Sequence, residues 1–216
     1  INGFGGAAHG TVVLDNANLQ NMPVGATKAV KNVIVKNTNP ANPSQIGGTN
    51  YRATDTYFAN ADSVLLFMDQ NAVANTNVKS YVQADATDYD PTGKASISNA
   101  GKIQFIKNGT LRGDVGQQTD EGIAFVGSNF KTGYSSITLE GNQRIQNVVA
   151  VGLNLNDGTY RIKSVKSDYE FLSEPTATIF GNVTIESGST LFDRDAGSSA
   201  EVQLMNNSTL ILQDNV

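Results

Sequence analysis

The sequence predicts an all-β chain wound as a parallel β-helix, a β-solenoid with coils of about 20 residues. Three observations carry this. An eleven-residue unit recurs without gaps: G-K-I-Q-F-I-K-N-G-T-L at 101–111, G-N-V-T-I-E-S-G-S-T-L at 181–191 and A-E-V-Q-L-M-N-N-S-T-L at 200–210. Its third and fifth positions are apolar (Ile103/Phe105, Val183/Ile185, Val202/Leu204), its eighth is Asn or Gly, and it ends on Thr-Leu. The spacing is the second observation. The last two units start 19 residues apart, and steps of 20 from Gly101 reach Glu121, where E-G-I-A-F-V-G-S-N-F repeats the strand with Ile123 and Phe125. Composition is the third: 24 Asn and 21 Gly, only 16% charged residues, and no capped helical stripe.

Within one unit the alternation puts two apolar side chains on one strand face. Asn108, Gly188 and Asn207 suit a corner, because Asn and Gly enter the left-handed backbone region at low cost. Thr-Leu then restarts a strand and returns a Leu inward. One unit therefore reads strand, corner, strand. A hairpin would also fit, although hairpins are flanked by longer alternating runs. At about 4.8 Å per coil, the chain would hold roughly eight to ten coils.

Taken in order, residues 1–9 are rich in Gly and Ala and read as loose or extended. Gly10–Leu19 is a unit one residue short, with Val12 and Leu14 inward, and Lys31–Asn39 is another, with Val33 and Val35. Residues 39–50, with Pro40, Pro43, Gly47 and Gly48, read as a loop. Residues 51–62 are ambiguous. Ser63–Met68 is the most apolar run and reads as a buried strand, with a short helix as the alternative. Residues 69–100 are polar, with faint strands at Val78–Val82 and Ala95–Ile97. From Gly101 the regular array begins and includes Ser136–Leu139, Ile145–Val151, Thr159–Val165 and Thr178–Ile185. The expected organisation is thus 1–100 as irregular coils or a cap, and 101–216 as a regular array, in one continuous domain. A separate small N-terminal β domain is the alternative. Terminal repeats of solenoids are commonly atypical.

Charge and composition exclude several classes. A net charge of −5 argues against nucleic acid and against an anionic membrane surface. The absence of Cys rules out disulfides and Cys-based metal sites. It also suits a bacterial surface protein that crosses two membranes unstapled. There is no run of 18 apolar residues, so no transmembrane helix is expected. The chain starts at Ile1 without a signal-peptide pattern and stops at Val216 just after a repeat unit. The expectation is a mature or excised segment of a longer protein.

Few constellations carry chemistry. His9 is the single His and sits in a Gly/Ala tail, so a nucleophilic triad would have to use it; an exposed His is the plainer reading. Asp85, Asp88 and Asp90 could chelate Ca²⁺, a hard cation that takes several oxygens. Their spacing is not that of an EF-hand, and a solvated turn before Pro91 explains them equally. Arg112-Gly113-Asp114 is an integrin-type tripeptide that needs a protruding loop, whereas here it directly follows Leu111. Solenoid enzymes acting on polysaccharides want clustered carboxylates or carboxylates beside Lys or Arg. The candidates are Asp193 and Asp214 near Arg194, and Asp114 and Glu121 near Arg112; scattered outward charges explain both. Asn108, Asn182 and Asn207 match N-glycan acceptors, which matters only for a eukaryotic source.

At the units G-N-V-T-I-E-S-G-S-T-L and A-E-V-Q-L-M-N-N-S-T-L, over about residues 101–216 and more faintly 10–39, the chain resembles passenger domains of bacterial autotransporters. The resemblance implies a right-handed parallel β-helix exported to the cell surface as an adhesin, autoaggregation factor or toxin scaffold. The C-terminal β-barrel used for secretion would lie outside this segment. The expected function is a non-enzymatic, extracellular scaffold in adhesion, self-association or host contact. Its partners would be a host surface protein, a glycan or itself, with no cofactor. The alternatives are a carbohydrate-active β-helix enzyme and a structural module of an S-layer or phage fibre.

Overall fold

The computed structural model describes residues 1–4, 8–39, 41–81, 91, 94, 97–116, 122–128, 135–166, 176–191 and 200–216. These form eighteen strands and no helix. They are β1 (His9–Leu14), β2 (Asn18–Leu19), β3 (Val30–Val35), β4 (Ser44–Ile46), β5 (Asn50–Phe58), β6 (Val64–Phe67), β7 (Ala72–Ser80), β8 (Lys102–Phe105) and β9 (Gly109–Arg112). They continue with β10 (Ile123–Ser128), β11 (Ser136–Glu140), β12 (Gln143–Val149), β13 (Gly152–Leu155), β14 (Gly158–Lys166), β15 (Thr176–Ile179), β16 (Asn182–Ile185), β17 (Glu201–Leu204) and β18 (Thr209–Leu212). Odd-numbered strands build one nine-stranded sheet and even-numbered strands the other, each in chain order. Every pairing is parallel. The chain therefore winds from one sheet to the other and climbs one rung at each return: a parallel β-solenoid. Both sheets pass from β6 and β7 to β8 and β9 without interruption, so the two halves of the chain share one core.

The core consists of columns of like side chains. Tyr51, Ala74, Leu111, Leu139, Leu155, Ile179 and Leu204 stand in register on successive odd strands. Leu65, Ile103, Val126, Val148 and Val165 do the same on the even ones. Parallel strands place identical faces above one another, so each rung covers the apolar face of the last. Phe67 stacks on Phe105 at 5.2 Å between ring centroids, and Tyr51 meets Phe67 edge-on at 5.3 Å.

The corners explain the Asn content. Six non-glycine residues have positive φ among the described residues, and all are Asn: 16, 37, 71, 99, 207 and 215. Their amides also tie rungs together. Asn37 Nδ2 donates to the Val64 carbonyl at 2.7 Å, while its Oδ1 accepts from the Ser44 hydroxyl at 2.6 Å. Asn108 Nδ2 donates to Asn71 Oδ1 at 2.9 Å, and Asn108 Oδ1 accepts the Ser136 N–H at 2.9 Å.

Several details depart from the sequence reading. The units at 101 and 200 are strand–corner–strand as expected, whereas the unit at 181 has only its first strand, β16, and no strand over residues 189–191; nor are the units equivalent places. The units at 101 and 181 begin on the even sheet, whereas the one at 200 begins on the odd sheet. The second strand of the last unit sits over the first strand of the middle one, with Val183 paired to Leu210. The rung itself varies. Ile123 pairs with Ile145 after 22 residues, Ile145 with Ile162 after 17, and Leu65 with Ile103 after 38. Rungs near 20 residues recur, the shortest are 16 and 17, and the longest carry insertions between strands. Phe125 is half-buried and Val126 takes its inward place. The expected loop at 39–50 contains β4, because Ile46 must cap Phe67. The polar stretch after residue 69 contains β7, nine residues long. Val202 and Leu204 occupy core columns but are 42% and 57% exposed, since among the described residues no rung covers them.

Candidate functional site

The outer surface carries one cleft lined by several basic side chains. β12 and β14 lie side by side with Ile145 opposite Ile162, both buried. Alternation therefore sends Arg144 and Gln146 outward from β12, and Arg161 and Lys163 outward from β14. Arg144 and Arg161 are direct cross-strand partners. Ser98 and Asn99, Gly122, and Ser187 and Gly188 complete the walls of a 420 Å³ cleft. The Asn99 N–H donates to the Gly122 carbonyl at 2.8 Å, which pins one wall. Glu186 approaches Arg144 to 3.9 Å, with side chains 22% and 26% exposed. Like charges directly opposite on neighbouring strands repel, so this arrangement concentrates positive potential in a chain of net charge −5.

A second groove, of 500 Å³, is lined by Gly113, Glu140, Gly141, Asn156, Asp157, Phe180 and Gly181. Its carboxylates Glu140 and Asp157, and Asp114 next to Gly113, hold the corners. Asp157 Oδ1 accepts the Asn182 N–H at 2.6 Å. Asp114 Oδ1 accepts the Asn142 N–H at 3.0 Å and its Nδ2 at 3.2 Å. Arg112 Nε pairs with Glu140 Oε2 at 3.0 Å across adjacent strands.

The Arg112-Gly113-Asp114 tripeptide is thus a stacked coil corner. Arg112 ends β9, and Gly113 has φ 115° with the Thr76 carbonyl where a side chain would stand. Asp114 binds the next rung. Asp85, Asp88 and Asp90 lie outside the described residues, as do Glu121, Asp193 and Arg194. Among the described residues no group of three His, Asp or Glu side chains is placed to hold a metal ion. His9 opens β1 and is exposed, as is Asp214 near the chain end. Asn182 and Asn207 are exposed, whereas Asn108 is half-buried in its amide ladder.

Sequence reasoning missed the basic cleft. Its signal was present as Arg-Ile-Gln at 144–146 and Arg-Ile-Lys at 161–163. The two align only at the 17-residue rung, which a search at 20 passes over. Compared with family models, with curated proteins and with solved structures, the chain matches none.

Proposed function

We infer that this chain is a non-enzymatic, extracellular scaffold, of the kind displayed on bacterial surfaces, acting in adhesion, self-association or host contact. The observation that carries this reading is how the carboxylates are used. Asp15 takes the Thr38 N–H and hydroxyl, and Asp55 the Lys79 ammonium at 2.9 Å. Asp69 takes the Gly48 N–H, Asp114 the Asn142 amide and Asp157 the Asn182 N–H. Glu140 pairs with Arg112 and Glu186 with Arg144. Each binds a neighbouring rung or corner. A glycosidase needs two carboxyls facing each other across a substrate, one of them kept protonated; these carboxylates each face a donor of the chain itself. What the outer faces present instead is a stiff polar ladder.

The test is display of the chain on non-adherent cells, scoring autoaggregation and attachment to host cells and to glycan-coated surfaces. Attachment or aggregation above bare cells is expected. Turnover of a polysaccharide, abolished by changing one outward carboxylate, would overturn the reading.

A further inference from the structure

We propose that the cleft over β12 and β14 binds a polysaccharide bearing repeated carboxylate or sulfate groups, held by Arg161 and Lys163 beside Arg144, which also faces Glu186 at 3.9 Å. Four features of the cleft point there. Two guanidinium groups lie in cross-strand register, and Lys163 lies two residues beyond Arg161 on the same face. Guanidinium forks match the planar oxygens of carboxylate and sulfate in paired hydrogen bonds, and a nearby ammonium adds an adaptable point charge. The cleft also has neutral donors and acceptors at Ser98, Asn99, Gln146 and Ser187, the groups that recognise hydroxyls between charges.

Shape is the third feature. The lining residues come from the turn before β8, the lead-in to β10, and then β12, β14 and the turn after β16. The cleft therefore runs along the stacking axis across successive strands, spaced about 4.8 Å apart. Such a track suits an extended chain of repeating units better than a single small anion. The fourth feature is its floor. Gly188 has open space where a Cβ would stand, so a ligand can approach the backbone there, whereas Gly122 packs against the Arg144 carbonyl and closes the floor. The charge contrast with the acidic remainder focuses anions here.

This inference rests on the scaffold reading only in taking the bound glycan to be held and not cleaved. The test is affinity electrophoresis and calorimetry of the full chain with polygalacturonate, heparin fragments and neutral dextran, at low and raised salt. Salt-sensitive binding to polygalacturonate, to heparin or to both is expected, with none to dextran; the two acidic arms separate carboxylate from sulfate. R161Q/K163Q should weaken binding at least tenfold with unchanged circular dichroism and melting temperature. Q146E, which places a negative charge in the same cleft, should weaken it too, and K28Q/K31Q, far along the chain, should not. Equal affinity of R161Q/K163Q and the parent, or no binding to either acidic polymer, would overturn the proposal. Binding accompanied by release of new sugar ends would support it while overturning the non-enzymatic reading.

Discussion

Asn and Gly at the corners differ in what they tolerate, and the difference is readable atom by atom. Gly101 sits at φ 83° and its missing Cβ would fall on the Phe58 ring, which is fully buried. Gly188, the corner of the unit at 181, sits at φ 77° with nothing nearby. Gly101→Ala therefore combines left-handed strain with overpacking, and should cost about 2–4 kcal/mol. Gly188→Ala should cost about 1–2 kcal/mol from strain alone. Urea midpoints of the two variants measure the gap, and equal midpoints would refute the packing term.

Two phenols give a second prediction at this scale. Burial pushes the Tyr51 hydroxyl well above the usual tyrosine range, partly offset by its bond to Thr56. Burial also raises Tyr160, with Glu140 and Asp157 adding to it; its hydroxyl lies 2.6 Å from the Asn156 carbonyl and 2.9 Å from that of Leu139. Both hold their proton more tightly folded than unfolded. Their contribution is full below about pH 10 and is lost as pH rises above that. Denaturation midpoints should fall steeply above pH 10, and Y51F/Y160F should flatten that fall. Asp15 works in the opposite direction. The Thr38 N–H lowers its pKa, so its contribution is present at neutral pH and fades as acid protonates it.

At the scale of elements, the corner that follows β9 connects three consecutive rungs. The Gly113 N–H donates to the Glu140 carbonyl at 3.0 Å, the Asp114 N–H to Asn77 Oδ1 at 3.2 Å, and Asp114 Oδ1 receives Asn142. Asp114→Ala removes the acceptor for an exposed backbone N–H and should cost about 1 kcal/mol. The exposed Arg112–Glu140 pair, with side chains 49% and 41% accessible, should contribute less. Because Asp114 holds the next rung in place, Asp114→Glu should leave integrin-dependent cell attachment unchanged while lowering the melting temperature. Loss of attachment at unchanged stability would restore the tripeptide as a ligand. The same scale shows why β4 escaped prediction and why the sequence marks β7 only at its end, by the faint strand from Val78. Their residues are polar or flanked by Pro and Gly, and what makes them strands is the partner on either side: Ile46 between Leu19 and Phe67, and β7 between β5 and β9. Strand propensity is largely a statement about such neighbours.

For the whole molecule, a solenoid is stable only where each rung is covered, so its ends behave differently from its middle. Ile211 and Leu212 on β18 are 54% and 56% exposed, beside the open edges of β17 and β18. Amides of β17 and β18 should exchange with solvent far faster than those of β11 and β13, which are paired on both sides. Open apolar edges are also templates for association. Leu204→Lys with Leu212→Lys should reduce concentration-dependent light scattering at modest cost in stability, because both residues are already more than half exposed. Undiminished scattering would locate self-association elsewhere.

The sequence by itself determined the fold class and the corner chemistry. Alternating apolar pairs, Asn and Gly at position eight, and the Thr-Leu restart are local properties, and they specified strand, corner, strand at 101 and 200, while at 181 the Thr-Leu restart forms no strand. It also marked part of the core: Ile103, Phe105, Leu111, Val183 and Ile185 are buried as their positions in the unit required. The tertiary structure alone decided which rung lies on which. Stacking register depends on insertions between strands, and these vary the rung from 16 residues, between Ile137 and Leu153, to 38, between Leu65 and Ile103. That variation hid the basic cleft, because Arg144 meets Arg161 only once the 17-residue rung is closed. It also made Arg112-Gly113-Asp114 a stacked corner with Arg112 and Asp114 exposed, whose partners Glu140 and Asn142 lie 28 residues further along the chain. Contacts between distant residues follow from how the coils close, and no local pattern encodes that.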